Sequence, residues 1–177
     1  MFISDVDCQI FDDKGVLENF EFETLGRIFG SFVKLNDSAV WITGGFNENF
    51  ENMMTTIIVT TNGSKTDVQL PISFDSHCMV HYKKNSIMII GGIQNGIANS
   101  KKTWIINTNN RSNLIEGPSL NRGRQFFSCN KVEDRFGNTL ILVIGGEYED
   151  TMEILNTTEM LKWTFGKKLI HWKNKYH

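Results

Sequence analysis

The side chains with the most chemical reach in this 177-residue sequence are three cysteines, four histidines and a few arginines at recurring places. Cys78 and Cys129 fall at matching positions in two segments of like pattern. Two thiols so placed could act as a redox or electrophile-sensing pair. Cysteine also behaves as a small apolar filler, and packing is the expectation here. An odd cysteine count without paired ligand spacing points to no metal site. His77 has no second ligand nearby and is expected to be packed or hydrogen-bonded, while His171 and His177 lie too near the end to weigh. There is no Gly-x-Ser-x-Gly, no His-Glu-x-x-His and no phosphate-binding glycine loop. The expectation is therefore no catalytic residue, no metal and no cofactor.

Recognition chemistry is better represented. Arg27 and Arg124 each precede a strand-like segment, and a planar guanidinium can clasp a carboxylate in bidentate fashion. What would position them is one short pattern written three times: an apolar run ending in two glycines. It occurs as Val40 to Gly44-Gly45, Ile87 to Gly91-Gly92 and Leu142 to Gly145-Gly146, at a period of about fifty residues, which is the mark of a repeat architecture. Each run is too short for a helix and rich in β-branched residues, so it reads as a buried strand. Upstream segments at Gly30–Val33, His77–Val80 and Ser128–Lys131 lead through polar turns into these runs, as hairpins do. Downstream, Ile58–Thr61, Ile105–Thr108 and Ile154–Thr157 supply a third strand. Val68–Leu70, Asn113–Ile115 and Lys162–Phe165 supply a fourth. Each repeat is an antiparallel meander of four short strands.

The order of apolar strand, Gly-Gly, third strand and Trp163 resembles the kelch family, as does the Gly117–Arg124 link with its basic residue before the next first strand. The first two copies lack the fourth-strand Trp, and Phe74 stands where the second copy would carry its Arg. The resemblance implies an all-β fold of kelch-type β-propeller blades: 27–73, 74–123 and 124–170, with half a preceding blade at 1–26 and a tail at 171–177. Cys8–Asp13 and Leu17–Phe22 are the strands of that half blade. Closed propellers have four to eight blades, so the expectation is an incomplete ring: a piece of a longer propeller, or a subunit that closes a ring with another copy. Acidic residues from Asp5 to Glu23 and lysines after Glu159 would orient such self-association. The resemblance also implies a protein-interaction role, as in cullin ubiquitin-ligase adaptors, where BTB and BACK domains precede the propeller, or in actin-binding relatives. Copper-oxidase relatives use Tyr, His and a Tyr-linked Cys, and Tyr82, Tyr148 and Tyr176 form no such set with the histidines here.

Loops on a rigid scaffold usually carry recognition. The loops after each Gly-Gly and the links between blades share one edge of a meander. The candidate partner-binding residues there are Arg27, Asn47, Asn49, Phe50, Gln94, Asn95, Arg122, Arg124, Glu147 and Tyr148, with Glu48 and Glu149 beside them. The expected ligand is an acidic protein segment docking on Arg27 and Arg124. A net charge of −2 argues against nucleic acid. No apolar stretch approaches the roughly 20 residues that span a bilayer, and the acidic N-terminus is unlike a secretory signal, so the expected location is the cytoplasm. On that reading the glycosylation sequons at Asn36, Asn62, Asn110 and Asn156 serve only as turn residues.

Overall fold

The computed structural model describes residues 7–12, 15–21, 27–60, 65–158 and 162–168, with backbone alone for 7–12, 15–21 and 65–67. The strand ends expected at Asp13, Phe22 and Thr61, the Asn62 sequon, the tail at 171–177 and, of the terminal charges, Asp5, Asp13, Glu23, Lys173 and Lys175 lie outside the described residues. Among those described there is strand and turn but no helix. The chain divides into two compact units, Met1–Asp75 and Ser76–His177.

In the first unit, Asp7–Asp12 and Gly15–Glu21 pair as an antiparallel hairpin. A four-stranded antiparallel sheet follows in strict chain order: Ser31–Asn36, Ala39–Thr43, Thr55–Thr60 and Lys65–Gln69. The second unit holds two more such blades. One consists of Cys78–His81, Ser86–Ile90, Thr103–Asn107 and Asn110–Glu116. The other consists of Ser128–Glu133, Thr139–Ile144, Met152–Asn156 and Thr164–Phe165.

The apolar runs are the second strands of their sheets, and that of the second blade is buried on both faces, which is why it reads as continuous rather than alternating. Ile87, Met88, Ile89 and Ile90 are fully buried. In the second unit Val80, Met88 and Ile90 of one blade pack with Leu120, Ile141, Val143, Leu155 and Trp163 to form a single core between the two blades. Each such side chain contributes about 1.5–3 kcal/mol through removal from water. The Trp163 indole N–H also donates to the Pro118 carbonyl at 2.8 Å, tying the end of one blade to the link that leads into it. In the first unit Ile42, Ile57 and Val59 make the core, and the buried Trp41 indole N–H donates to Thr56 Oγ1.

The glycine pairs end these strands in the same way each time. The first glycine sits at φ 61°, 55° and 70° in the three blades, the left-handed region that side chains disfavour. Its N–H donates to the residue entering the third strand: Gly44 to Thr55 at 3.2 Å, Gly91 to Lys102 at 3.1 Å and Gly145 to Thr151 at 3.1 Å. The second glycine donates to the chain as it enters the next repeat, Gly45 to Phe74 at 2.7 Å and Gly92 to Arg124 at 2.8 Å. A Cβ on Gly44 would fall onto the Phe74 carbonyl, whereas a Cβ on Gly96, also at positive φ, would meet nothing. Gly44→Ala is therefore expected to cost about 2–5 kcal/mol, from left-handed strain plus overpacking. Gly96→Ala should cost only about 1–2 kcal/mol, the strain alone. Urea titrations of the two variants would test this, and equal losses would contradict the close-approach role.

Candidate functional site

The edge that carries the glycine pairs poses a problem of unpaired carbonyls. Strand two ends there and strand three begins there, and backbone oxygens buried at that junction need donors. Arg27 meets the need in the first blade. Its Nη1 donates to Gly44 O at 3.1 Å and Thr55 O at 2.9 Å, and its Nη2 to Thr55 Oγ1 at 2.7 Å. Arg124 repeats the arrangement in the third blade, with Nη1 donating to Gly145 O at 2.7 Å and Thr151 O at 3.1 Å. Its Nη2 reaches Thr151 Oγ1 at 3.3 Å and Glu153 Oε1 at 2.7 Å. The second blade has no arginine at this place, and Gln94, in the short strand Ile93–Gln94 that follows the glycine pair, makes the bonds instead. Its Nε2 donates to Gly91 O at 2.9 Å and Lys102 O at 3.1 Å, the same two positions, while its Oε1 accepts from the Trp104 indole at 3.0 Å.

These contacts correct the expectation for three candidate residues. Arg27 is 3% exposed, Arg124 0% and Gln94 6%. None presents its head group to a partner, because the guanidinium fork and the carboxamide fit the paired carbonyls beneath the loop. The acidic-ligand expectation loses both of its arginines. Glu153, also fully buried, completes the inner network in the third blade. Besides Arg124 it accepts from the N–H groups of Asn121 at 2.7 Å and Arg122 at 3.1 Å and from Asn121 Nδ2 at 2.9 Å.

The loops above these clamps differ from blade to blade. In the first unit, Asn47 is half-buried and organises its loop. Its Oδ1 accepts from the N–H of Asn49 at 3.0 Å and of Glu51 at 2.9 Å, and its Nδ2 donates to Glu51 Oε2 at 2.7 Å. Asn49 is exposed, and Phe50 beside it is 74% exposed at φ 58°. In the second unit, Asn95 is exposed at φ 48° and Ile97 stands next to it in solvent. Glu147 is exposed and accepts from Gln125 Nε2. Tyr148 is 90% exposed at φ 58°. Arg122 is exposed but engaged, 3.3 Å from Glu149 and 5.7 Å above the Phe165 ring. Burial alone would raise the Glu149 carboxyl. Hydrogen bonds from Thr151 and Arg122 outweigh that and hold it below its ordinary range.

Sequence reasoning missed Phe29 and Phe126. Each follows a clamp arginine by two residues, is half exposed, and sits at positive φ, 59° and 54°. The signal was available in the register of Arg27-Ile28-Phe29 with Arg124-Gln125-Phe126. The first unit therefore displays Phe29 and Phe50, and the second displays Phe126 and Tyr148, each aromatic on a backbone conformation that a bulky side chain seldom adopts.

Two further groups have chemical interest. Cys78 and Cys129 form a disulfide with Cα atoms 6.0 Å apart, joining the first strands of the two blades in the second unit. Matching positions in neighbouring blades face each other, so the pair does more than fill space. His77 is buried, and burial pushes its imidazole down to about 3. Among the described residues no three His, Cys, Asp or Glu side chains cluster as a metal site would require. No described helix is long and apolar enough to cross a membrane.

No family model matches the sequence, and no curated protein does. Solved structures do resemble it. YjhT matches with a TM-score of 0.63 at 14% identity over 88% of this chain and 55% of that one. A copper-bound fungal alcohol oxidase, described as having catalytic diversity among the AA5 family, matches with a TM-score of 0.53 at 14% identity over 93% and 49%. The chain thus spans about half the length of the structures it matches. At that identity the likeness is one of fold. The fold is all-β, built of four-stranded antiparallel blades of the β-propeller type, and the three blades with their N-terminal hairpin make up part of a propeller.

Two predictions follow from the buried groups. Arg124→Met should destabilise the chain by about 3–5 kcal/mol, because Glu153 is left as an uncompensated buried charge. Adding Glu153→Leu should recover part of the loss in denaturant titrations. For His77, the unfolded chain takes up a proton near 6.5 while the folded chain resists until about 3. Stability should therefore be whole above pH 6.5 and fall by up to about 1.4 kcal/mol per pH unit on acidification toward 3. His77→Gln should flatten the fall between pH 6.5 and 5, measured by urea midpoints.

Proposed function

We propose that this chain is a non-enzymatic protein-interaction module, a segment of a kelch-type propeller whose blades bind a partner through their glycine-pair loops. The observation that carries this reading is the set of exposed aromatics, Phe29, Phe50, Phe126 and Tyr148, each held at positive φ. Solvated loop tips have no need of bulky apolar side chains, and backbone strain of this kind persists where the surroundings over-determine it, often at binding sites. Aromatic residues anchor interfaces at low conformational cost, since only two side-chain torsions are frozen. The clamps beneath them fix the loops before a partner arrives, which lowers the ordering cost of association.

The chemistry of these edges favours a partner carrying lysine or arginine. Glu48 and Glu51 flank Phe50, and Glu147 flanks Tyr148, all exposed. In the second unit the exposed Arg122 is committed to Glu149. Carboxylates around an exposed ring offer a cation both an ion pair and a π face. The likeness to YjhT and to the oxidase concerns the scaffold, and superfolds host many unrelated activities.

Capture experiments with the full chain as bait provide the test. A partner retained by the wild type should be lost, with at least a tenfold drop in affinity, in the Phe50→Ala/Tyr148→Ala double variant. Thermal unfolding should be nearly unchanged, because both rings are exposed. Undiminished binding by the double variant would remove these loops as docking sites.

A further inference from the structure

The disulfide and the sequons, each unremarkable alone, point in one direction together. Disulfides persist in oxidising compartments and are rare where glutathione and thioredoxin keep thiols reduced. Cys78 and Cys129 are bridged across two blades, which is at odds with the cytoplasmic location expected from the sequence. Where that compartment is the endoplasmic reticulum, a chain also meets the machinery that glycosylates Asn-x-Ser/Thr. The sequons then cease to be mere turn residues, provided that their asparagines are open to solvent.

Two of them are. Asn36 closes the turn between the first two strands of its blade, paired with Ala39, and is exposed. Its Oδ1 accepts from Ser38 N at 2.9 Å and Ser38 Oγ at 3.0 Å. Asn110 closes the turn between the third and fourth strands of the next blade, paired with Asn107, and is likewise exposed. Its Oδ1 accepts from Ser112 Oγ at 3.3 Å. In both cases the sequon serine occupies the amide oxygen, and no described residue bonds to Nδ2, the atom a glycan would occupy. Asn156 differs: it is half-buried, and the neighbouring Thr157 is buried with its hydroxyl on Thr139 O at 2.9 Å. The placement matters as well. In an antiparallel meander the turns after the first and third strands lie on the edge opposite the loop after the second. Asn36 and Asn110 thus lie at the far edge of their own blades from the glycine pairs.

We propose that the chain matures in an oxidising compartment and carries N-linked glycans on Asn36 and Asn110. The sugars clothe the turn edges of the first and second blades and leave their glycine-pair edges bare. The inference does not depend on the binding role argued above.

The test uses the full-length protein from its native source, alkylated before any reduction and then digested. Peptide-N-glycosidase treatment in heavy-oxygen water should convert Asn36 and Asn110 to heavy-labelled aspartate. Peptides containing Cys78 and Cys129 should stay linked until reductant is added. On gels, Asn36→Gln and Asn110→Gln should each abolish one glycosidase-sensitive step in mobility. Linked cysteines with unmodified Asn36 and Asn110 would overturn the glycan assignment. Alkylation of both thiols without reduction would overturn the oxidising compartment.

Discussion

Everything in these blades turns on a pair of buried carbonyl oxygens at the junction of the second and third strands. A meander must reverse there, and a reversal tight enough to keep the core dry leaves Gly44 O, Gly91 O and Gly145 O facing inward. An unpaired buried acceptor costs about 1–3 kcal/mol, a large share of a domain's net stability. The chain answers with a donor from elsewhere in each repeat, Arg27, Gln94 or Arg124. Because the donor also reaches the residue that opens the third strand, one side chain fixes both arms of the loop. The loop's direction, and therefore the exposure of its tip, follows from that satisfaction.

The same junction couples each repeat to the next. Gly45 and Gly92 spend their N–H groups on the incoming chain at Phe74 and Arg124. Arg124 therefore serves two repeats, with its carbonyl accepting from one blade and its guanidinium holding another. Apolar packing then fills the space between, with Trp163 and Met88 among the large contributors. Directional bonds set the geometry, and the non-directional hydrophobic term supplies most of the energy.

Periodicity and glycine placement made the strands readable in advance, because a second strand buried on both faces has few other sequence solutions. Orientation was not readable. Arg27 and Arg124 were recognised as equivalent, yet residue type and register do not tell whether a guanidinium turns outward to a ligand or inward to a carbonyl. Gln94 was placed in the right loop for the wrong reason, since its role emerges only when the second blade is seen to lack an arginine. Phe29 and Phe126 were hidden by the arginines next to them. The Cys78–Cys129 bridge required knowing that first strands of neighbouring blades face one another, a tertiary fact that a linear repeat only hints at.

The substitution of Gln94 for an arginine has a further consequence for how such chains are recognised. The donor has moved from a position ahead of the first strand to one beyond the second, so the same bonds are made from a different column of the repeat. A comparison that scores residues position by position registers two losses where the geometry has lost nothing. Within this one chain the same hydrogen bonds are met by different residues from different places in the repeat. That is consistent with a chain that matches solved structures at 14% identity and no family model at all.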